Sequence, residues 1–232
     1  MTNDKLQEVW QLLQQTSKED RARVFEQLRQ EFPIHLLEKE WNVSADIILE
    51  AISRSSDLTK RGVRGVIAEA VFEQSVVVPL ASRGWKDETP DGDHPFDFLL
   101  VDKIGPVKIQ VKMQRLERKV PKHWGRNTRF FVVETQKTRS GKNSAGGSTR
   151  PYRFGEFDVI AVSMHPSSRD WTKFRYTVAN WLLPRPNKGK KLIQVFQPVP
   201  DTANADWCDD FEVAVQSFRG GIKKTIHEPP KL

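Results

Sequence analysis

The sequence is poor in cysteine and in long apolar runs. Its one cysteine, Cys208, excludes an internal disulfide, and its five histidines do not have metal-ligand spacing. No run of about 18 apolar residues is present to span a membrane. The N-terminus lacks the basic and then apolar pattern of a secretory signal. We therefore expect an intracellular, soluble protein without membrane association.

Positive charge is concentrated in one part of the chain. The net charge is +7, yet residues 101–150 carry thirteen Lys and Arg against three acids, which leaves the remainder net negative. A basic block interleaved with aromatic residues favours a nucleic-acid partner, because phosphate neutralisation supplies most non-specific affinity. The alternative is an ordinary solvated basic surface.

Residues 1–57 predict an N-terminal helical subdomain. Apolar residues recur there at helical spacing, Ser17 is placed to cap one helix, and Ser44 is placed to cap another. Asn42 lies in the short turn before Ser44, which is the spacing of a helix-turn-helix with Arg54 offered to a DNA groove. The alternative is a small helical bundle that packs on the main domain or on a partner subunit.

Residues 58–232 predict an α/β domain, a mixed β-sheet core flanked by helices. An apolar helix at 66–73 precedes the β-like runs, which lie at 96–101, 107–112, 130–133, 157–162, 174–178 and 192–196. Residues 139–150 are rich in Gly and Ser and predict a basic loop.

The first two strands carry the most informative pattern. Asp97 opens one strand, and Gln110 and Lys112 lie on the polar face of the next, opposite Ile109 and Val111. An acid, an amide oxygen and a lysine that converge from adjacent strands can hold a divalent cation beside a phosphate. That chemistry is typical of a metal-dependent nuclease.

With Glu69 on the preceding helix, this order of residues resembles the PD-(D/E)xK nuclease superfamily, which includes many restriction endonucleases. The resemblance covers roughly residues 61–176. Gln110 replaces the usual Asp or Glu, and Pro95 lies one residue further from Asp97 than in the family pattern. The resemblance implies a restriction-endonuclease-like fold and a Mg²⁺ cofactor.

The resemblance also implies roles for the motif residues. Asp97, Gln110 and Glu69 would hold Mg²⁺, and Lys112 would orient or help to deprotonate the attacking water and stabilise charge on the phosphate. Each residue has a plainer alternative. Gln110 and Lys112 could be the solvent-exposed face of a strand, Asp97 could cap a turn, and Glu69 could pair with Arg64 or Arg61.

The function predicted from these residues is Mg²⁺-dependent cleavage of double-stranded DNA, most simply by a type II restriction enzyme of the prokaryotic cytoplasm acting as a homodimer. A structure-specific or homing-type nuclease is one alternative, and a non-catalytic DNA-binding protein is another. The predicted DNA contacts are all basic residues of the block that follows Lys112. They are Arg115, Arg118, Lys119, Lys122, Arg126, Arg139, Lys142 and Arg150.

Overall fold

The computed structural model describes residues 3–32, 35–137, 150–186 and 191–230. The chain divides into two compact units, Met1–Lys60 and Arg61–Leu232. No helix of the described part is long and apolar enough to cross a membrane.

The first unit is helical. Its helices are α1 (Asn3–Gln15), α2 (Lys18–Glu31), α3 (Leu36–Trp41) and α4 (Ala45–Arg54). The Ser17 hydroxyl accepts from the amide of Asp20 at 3.0 Å and caps α2. Asn42 takes the predicted left-handed conformation with φ 53°, which ends α3. Ser44 occupies the N-cap position of α4, but its side chain makes no capping hydrogen bond.

The second unit is a mixed α/β domain, as predicted. Its first helix is α5 (Asp57–Phe72), whose first turn precedes Arg61, and a π-helical segment (Glu73–Val77) and α6 (Val78–Ala81) follow. Strands β1 (Lys86–Asp87), β2 (Phe98–Val101), β3 (Pro106–Met113), β4 (Leu116–Glu117), β5 (Val120–Pro121), β6 (His123–Trp124), β7 (Asn127–Glu134) and β8 (Val159–Ser163) follow. The domain ends with α7 (His165–Ser168), β9 (Phe174–Val178), a 3₁₀ turn (Ala179–Trp181), β10 (Phe196–Pro200) and α8 (Phe211–Arg219).

Within the described residues, five strands form the main sheet in the order β1-β2-β3-β8-β9. All neighbours are antiparallel except β3 and β8, which run parallel. A second, antiparallel sheet has the order β10-β7-β6, and β4 and β5 form a separate hairpin.

The predicted strand at 192–196 is misplaced. The structure begins β10 at Phe196, and Leu192 and Ile193 make only isolated bridges. Two prolines, Pro198 and Pro200, lie within β10, and proline disfavours a strand because it has no N–H group to donate. The segment nevertheless pairs with β7.

Alternation along β3 separates the two cores of this domain. Val107, Ile109 and Val111 face the cluster that contains α5 and α8. Gln110 faces the opposite side, toward the cluster that contains Tyr152. The core is thereby built on both faces of the main sheet, and the polar motif residues are placed at the second face.

Candidate active site

Asp97 is fixed by the backbone of the adjacent strand. Its amide donates to the carbonyl of Ile109 at 2.8 Å, which extends the pairing of β2 with β3 by one residue. Its Oδ2 accepts from the amide of Val111 at 2.7 Å and from the side-chain amide of Gln110. Within the described residues, no hydrogen bond reaches Oδ1. One carboxylate oxygen is therefore held and the other is left for a ligand.

Gln110 is buried, with only 1% of its surface exposed. Its Nε2 donates to Asp97 and to the carbonyl of Val111 at 3.3 Å, while its Oε1 accepts from the hydroxyl of Tyr152 at 2.9 Å. The alternative of a solvated strand face is wrong for this residue. In this orientation the Gln110 oxygen accepts from Tyr152, and its nitrogen, which cannot bind a metal ion, faces Asp97. The role of Gln110 as a metal ligand stays a prediction.

Glu69 lies on α5, half-buried. Burial raises the pKa of Glu69, the negative charge of Asp97 adds to that rise, and the positive charge of Lys112 opposes both, so that the pKa moves from an ordinary 4.5 to about 7. Among the residues that the structure describes, Glu69 forms an ion pair with neither Arg64 nor Arg61, the two alternatives that the sequence offered. The Arg61 guanidinium instead lies 3.9 Å from a carboxylate oxygen of Glu134.

Lys112 completes the group from β3. Burial lowers the pKa of its amine, while the charges of Asp97 and Glu69 raise it. Burial also raises the pKa of Asp97, and Lys112, the Val111 amide and the Gln110 amide oppose that shift. The three charges thus share one partly desolvated space in which each affects the others.

The donor set suits a hard cation. Among the described residues, no group of three or more His, Cys, Asp or Glu is placed to hold a metal ion. Mg²⁺ usually takes one or two carboxylates and keeps several waters. The negative charge of Asp97 opposes ionisation of Glu69, and a cation between the two carboxylates would relieve that repulsion.

Tyr152 is a site residue that the sequence analysis did not identify. Besides its bond to Gln110, its ring lies 5.5 Å from the Nζ of Lys112 and 5.4 Å from that of Lys137. It is 4% exposed, and burial raises the pKa of its hydroxyl, so the group stays a donor. The only sequence cue was that a buried tyrosine needs a partner for its hydroxyl.

Two of the predicted DNA contacts are paired with acids. The guanidinium of Arg115 contacts Glu134 and lies 5.2 Å from the ring of Phe196. The Nζ of Lys122 lies 2.8 Å from a carboxylate oxygen of Glu117. These pairs brace the base of the β4–β5 hairpin, and each reduces the free charge available to a phosphate.

The tip of that hairpin is different. Arg118 and Lys119 are its two turn residues, both exposed and both left-handed, with φ 51° and 67°. Positive φ at both central positions is the pattern of a type I′ turn, which usually takes Asn and Gly. Arg126 is exposed in the next turn, after Gly125 with φ 64°.

Three predicted DNA contacts remain, Arg139, Lys142 and Arg150. Arg150 is half-buried, and its Nε donates to the carbonyl of Lys137 at 3.3 Å. Arg139 and Lys142, with the predicted basic loop, lie outside the described residues.

Asp158 and Trp124 have structural roles in this domain. Asp158 accepts from the backbone amide of Lys108 at 2.8 Å, which ties β8 to β3. Trp124 is buried in the core, and its indole donates to the carbonyl of Pro229 at 3.0 Å.

Comparison with models of known protein families gives no match. Comparison with curated proteins gives none either. Among solved structures, the bacterial homing endonuclease I-Ssp6803I is similar over 56% of this chain and 82% of that one. The identity is 22% and the TM-score is 0.34, a likeness too loose to assign a fold or an activity.

Proposed function

We propose that this protein is a Mg²⁺-dependent endonuclease that hydrolyses phosphodiester bonds in double-stranded DNA. The observation that carries the proposal is the convergence of Glu69, Asp97 and Lys112 at the paired strands β2 and β3. The two carboxylates can bind a cation, and the desolvated amine beside them can accept or donate a proton.

Glu69 and Asp97 would hold the ion. Asp97 would present Oδ1, because its Oδ2 is occupied by the Val111 amide and by Gln110. Bound there, Mg²⁺ would supply positive charge beside the scissile phosphate.

Lys112 would act on the attacking water. Its Nζ would orient that water, and the lowered pKa of the amine lets it accept a proton more readily than an exposed lysine. In its protonated form the same group would stabilise negative charge on the phosphate. Tyr152 would keep Lys112 near this position through its ring.

DNA would be held by the basic turns that follow β3. The chain passes from Lys112 to the exposed Arg118 and Lys119 within one short strand, so the motif and the hairpin tip belong to one continuous segment. Arg126 lies in the following turn. Type II restriction is the finer proposal, with a homodimer supplying one site for each strand.

The test is incubation of the purified full-length protein with unmethylated plasmid DNA, in Mg²⁺ and in EDTA. Discrete fragments only in Mg²⁺ support a restriction enzyme. Nicking, or cleavage confined to branched substrates, supports a structure-specific nuclease of the same chemistry. Binding without cleavage on every substrate overturns the proposal in favour of a DNA-binding protein.

A further inference from the structure

We propose that Gln110 is a positioning residue that aims the Asp97 carboxylate through its N–H group, and that Tyr152 holds it in that role. Under this proposal Gln110 does not bind the cation with its own oxygen. The inference rests on the proposed function, since it concerns the same cation site.

The surroundings of Gln110 fix which way its amide faces. On one side lie two acceptors, Asp97 Oδ2 and the Val111 carbonyl, and the NH₂ group donates to both. On the other side the Tyr152 hydroxyl donates to Oε1 at 2.9 Å. Turned over, the amide would set its oxygen against the two acceptors, and a buried side chain has no water to compensate.

The hydrogen bonds to Asp97 fix the orientation of its carboxylate. The Val111 amide and Gln110 both reach Oδ2, so the carboxylate is held by that oxygen from two donors. Residues that hydrogen-bond a metal-binding carboxylate orient it and tune it without contacting the ion. With Gln110 as a second donor, the Asp97 carboxylate is oriented more rigidly than the Val111 amide alone would orient it.

Tyr152 is well suited to lock this arrangement. Its ring packs edge-on against Phe157 with centroids 5.2 Å apart, and its face lies 5.5 Å from Lys112 Nζ. The hydroxyl is therefore fixed in space by the packing of the ring. One side chain outside the motif contacts both Gln110 and Lys112.

Removing only the Tyr152 hydroxyl distinguishes the two roles by the sign of its effect. If Gln110 positions Asp97, Tyr152→Phe removes the donor that holds Oε1, which loosens the amide and weakens cation binding. If Gln110 were a ligand, the same change would release its oxygen from a competing donor and strengthen binding. The ring remains, so the contacts with Phe157 and Lys112 are kept.

The experiment is calorimetric titration of the full-length protein with Mn²⁺, comparing wild type, Tyr152→Phe and Lys108→Met. Lys108 lies on the same strand with its Nζ 5.8 Å from the ring of Phe96, and serves as the control. We expect about a tenfold weaker Kd for Tyr152→Phe and no change for Lys108→Met. Binding by Tyr152→Phe that equals or exceeds wild type would overturn the positioning role.

A second measurement observes the amide directly. We expect the Gln110 side-chain N–H signals in ¹⁵N spectra to remain protected from solvent exchange when Mg²⁺ is added. Loss of that protection on adding Mg²⁺ overturns the inference, because it means that the N–H group no longer donates to Asp97. Failure of wild type to bind Mn²⁺ at all is a separate outcome, which overturns the proposed function itself and the positioning role that depends on it.

Discussion

Asp97 lies close enough to Glu69 for its charge to add to burial in raising the pKa of Glu69 to about 7. The ordinary pKa of 4.5 applies to Glu69 in the unfolded chain. Between pH 4.5 and about 7 the folded state therefore binds the Glu69 proton more tightly than the unfolded state does. Stability from this group is therefore fully present below pH 4.5 and is lost as the pH rises through 7.

We expect Glu69→Gln to be more stable than wild type at pH 8 in EDTA, by about 2–3 kcal/mol. The gain should shrink as the pH falls toward 5, where Glu69 is protonated. Urea unfolding at several pH values measures it. Glu73→Gln, at an exposed position just after α5, is the control and should show no such trend. A gain that does not vary with pH would contradict the assignment.

Asp97 and Lys112 can be tested separately for chemistry and for binding. Asp97→Ala removes the carboxylate that we propose binds the cation, and Lys112→Ala removes the amine. We expect each to lower the cleavage rate by about 10²–10⁴-fold while leaving DNA binding in Ca²⁺ nearly unchanged. Plasmid cleavage and gel shift on the same preparations measure the two effects, with Lys108→Met as an active control. Turnover near the wild-type rate in both variants would exclude the proposed site.

The hairpin tip allows charge to be removed without damaging the fold. The double change Arg118→Asn with Lys119→Gly introduces the pair that a type I′ turn prefers, at two positions of positive φ. We expect stability to rise by about 1–2 kcal/mol and DNA affinity to fall. The slope of log affinity against log salt should decrease by about 2 if both residues contact phosphates. Lys223→Gln, a change at an exposed lysine, provides a control for general charge. An unchanged slope would remove the hairpin from the DNA interface.

Arg219 of α8 reaches the turn between β2 and β3. Its guanidinium makes two hydrogen bonds to Asp102, of 2.7 and 2.8 Å, and another to the carbonyl of Gly105 at 2.8 Å. We expect Arg219→Met to lower the free energy of unfolding by about 1–3 kcal/mol without a specific effect on cation affinity. Denaturant unfolding and Mn²⁺ titration test this. A selective loss of Mn²⁺ affinity in a fully stable variant would contradict it.

The pairing of β2 with β3 could be read from the sequence because its determinants are local. Val107, Ile109 and Val111 alternate with polar residues over a short hairpin, so the register and the buried face follow from the period of two. The placement of Asp97 beside Gln110 follows from the same register.

The orientation of Gln110 could not be read from the sequence. It depends on Tyr152, which lies 42 residues further along the chain and after a segment without regular periodicity. The β4–β5 hairpin was also missed, because its turn holds Arg118 and Lys119 instead of the glycine or asparagine by which such turns are recognised. The orientation of Gln110 depends on a contact distant in sequence, and the turn of the hairpin holds residues whose intrinsic preference is against a left-handed backbone.

β3 pairs along both of its edges, with β2 on one side and with β8 on the other. Strands bonded on two sides open only when large parts of a domain open. The backbone amides of Gln110 and Lys112 should therefore exchange with solvent at the rate of global unfolding, unlike those of the exposed hairpin tip. A substitution anywhere in the domain that lowers global stability will then multiply the small fraction of time for which these two residues are released by the same factor as the unfolding equilibrium constant.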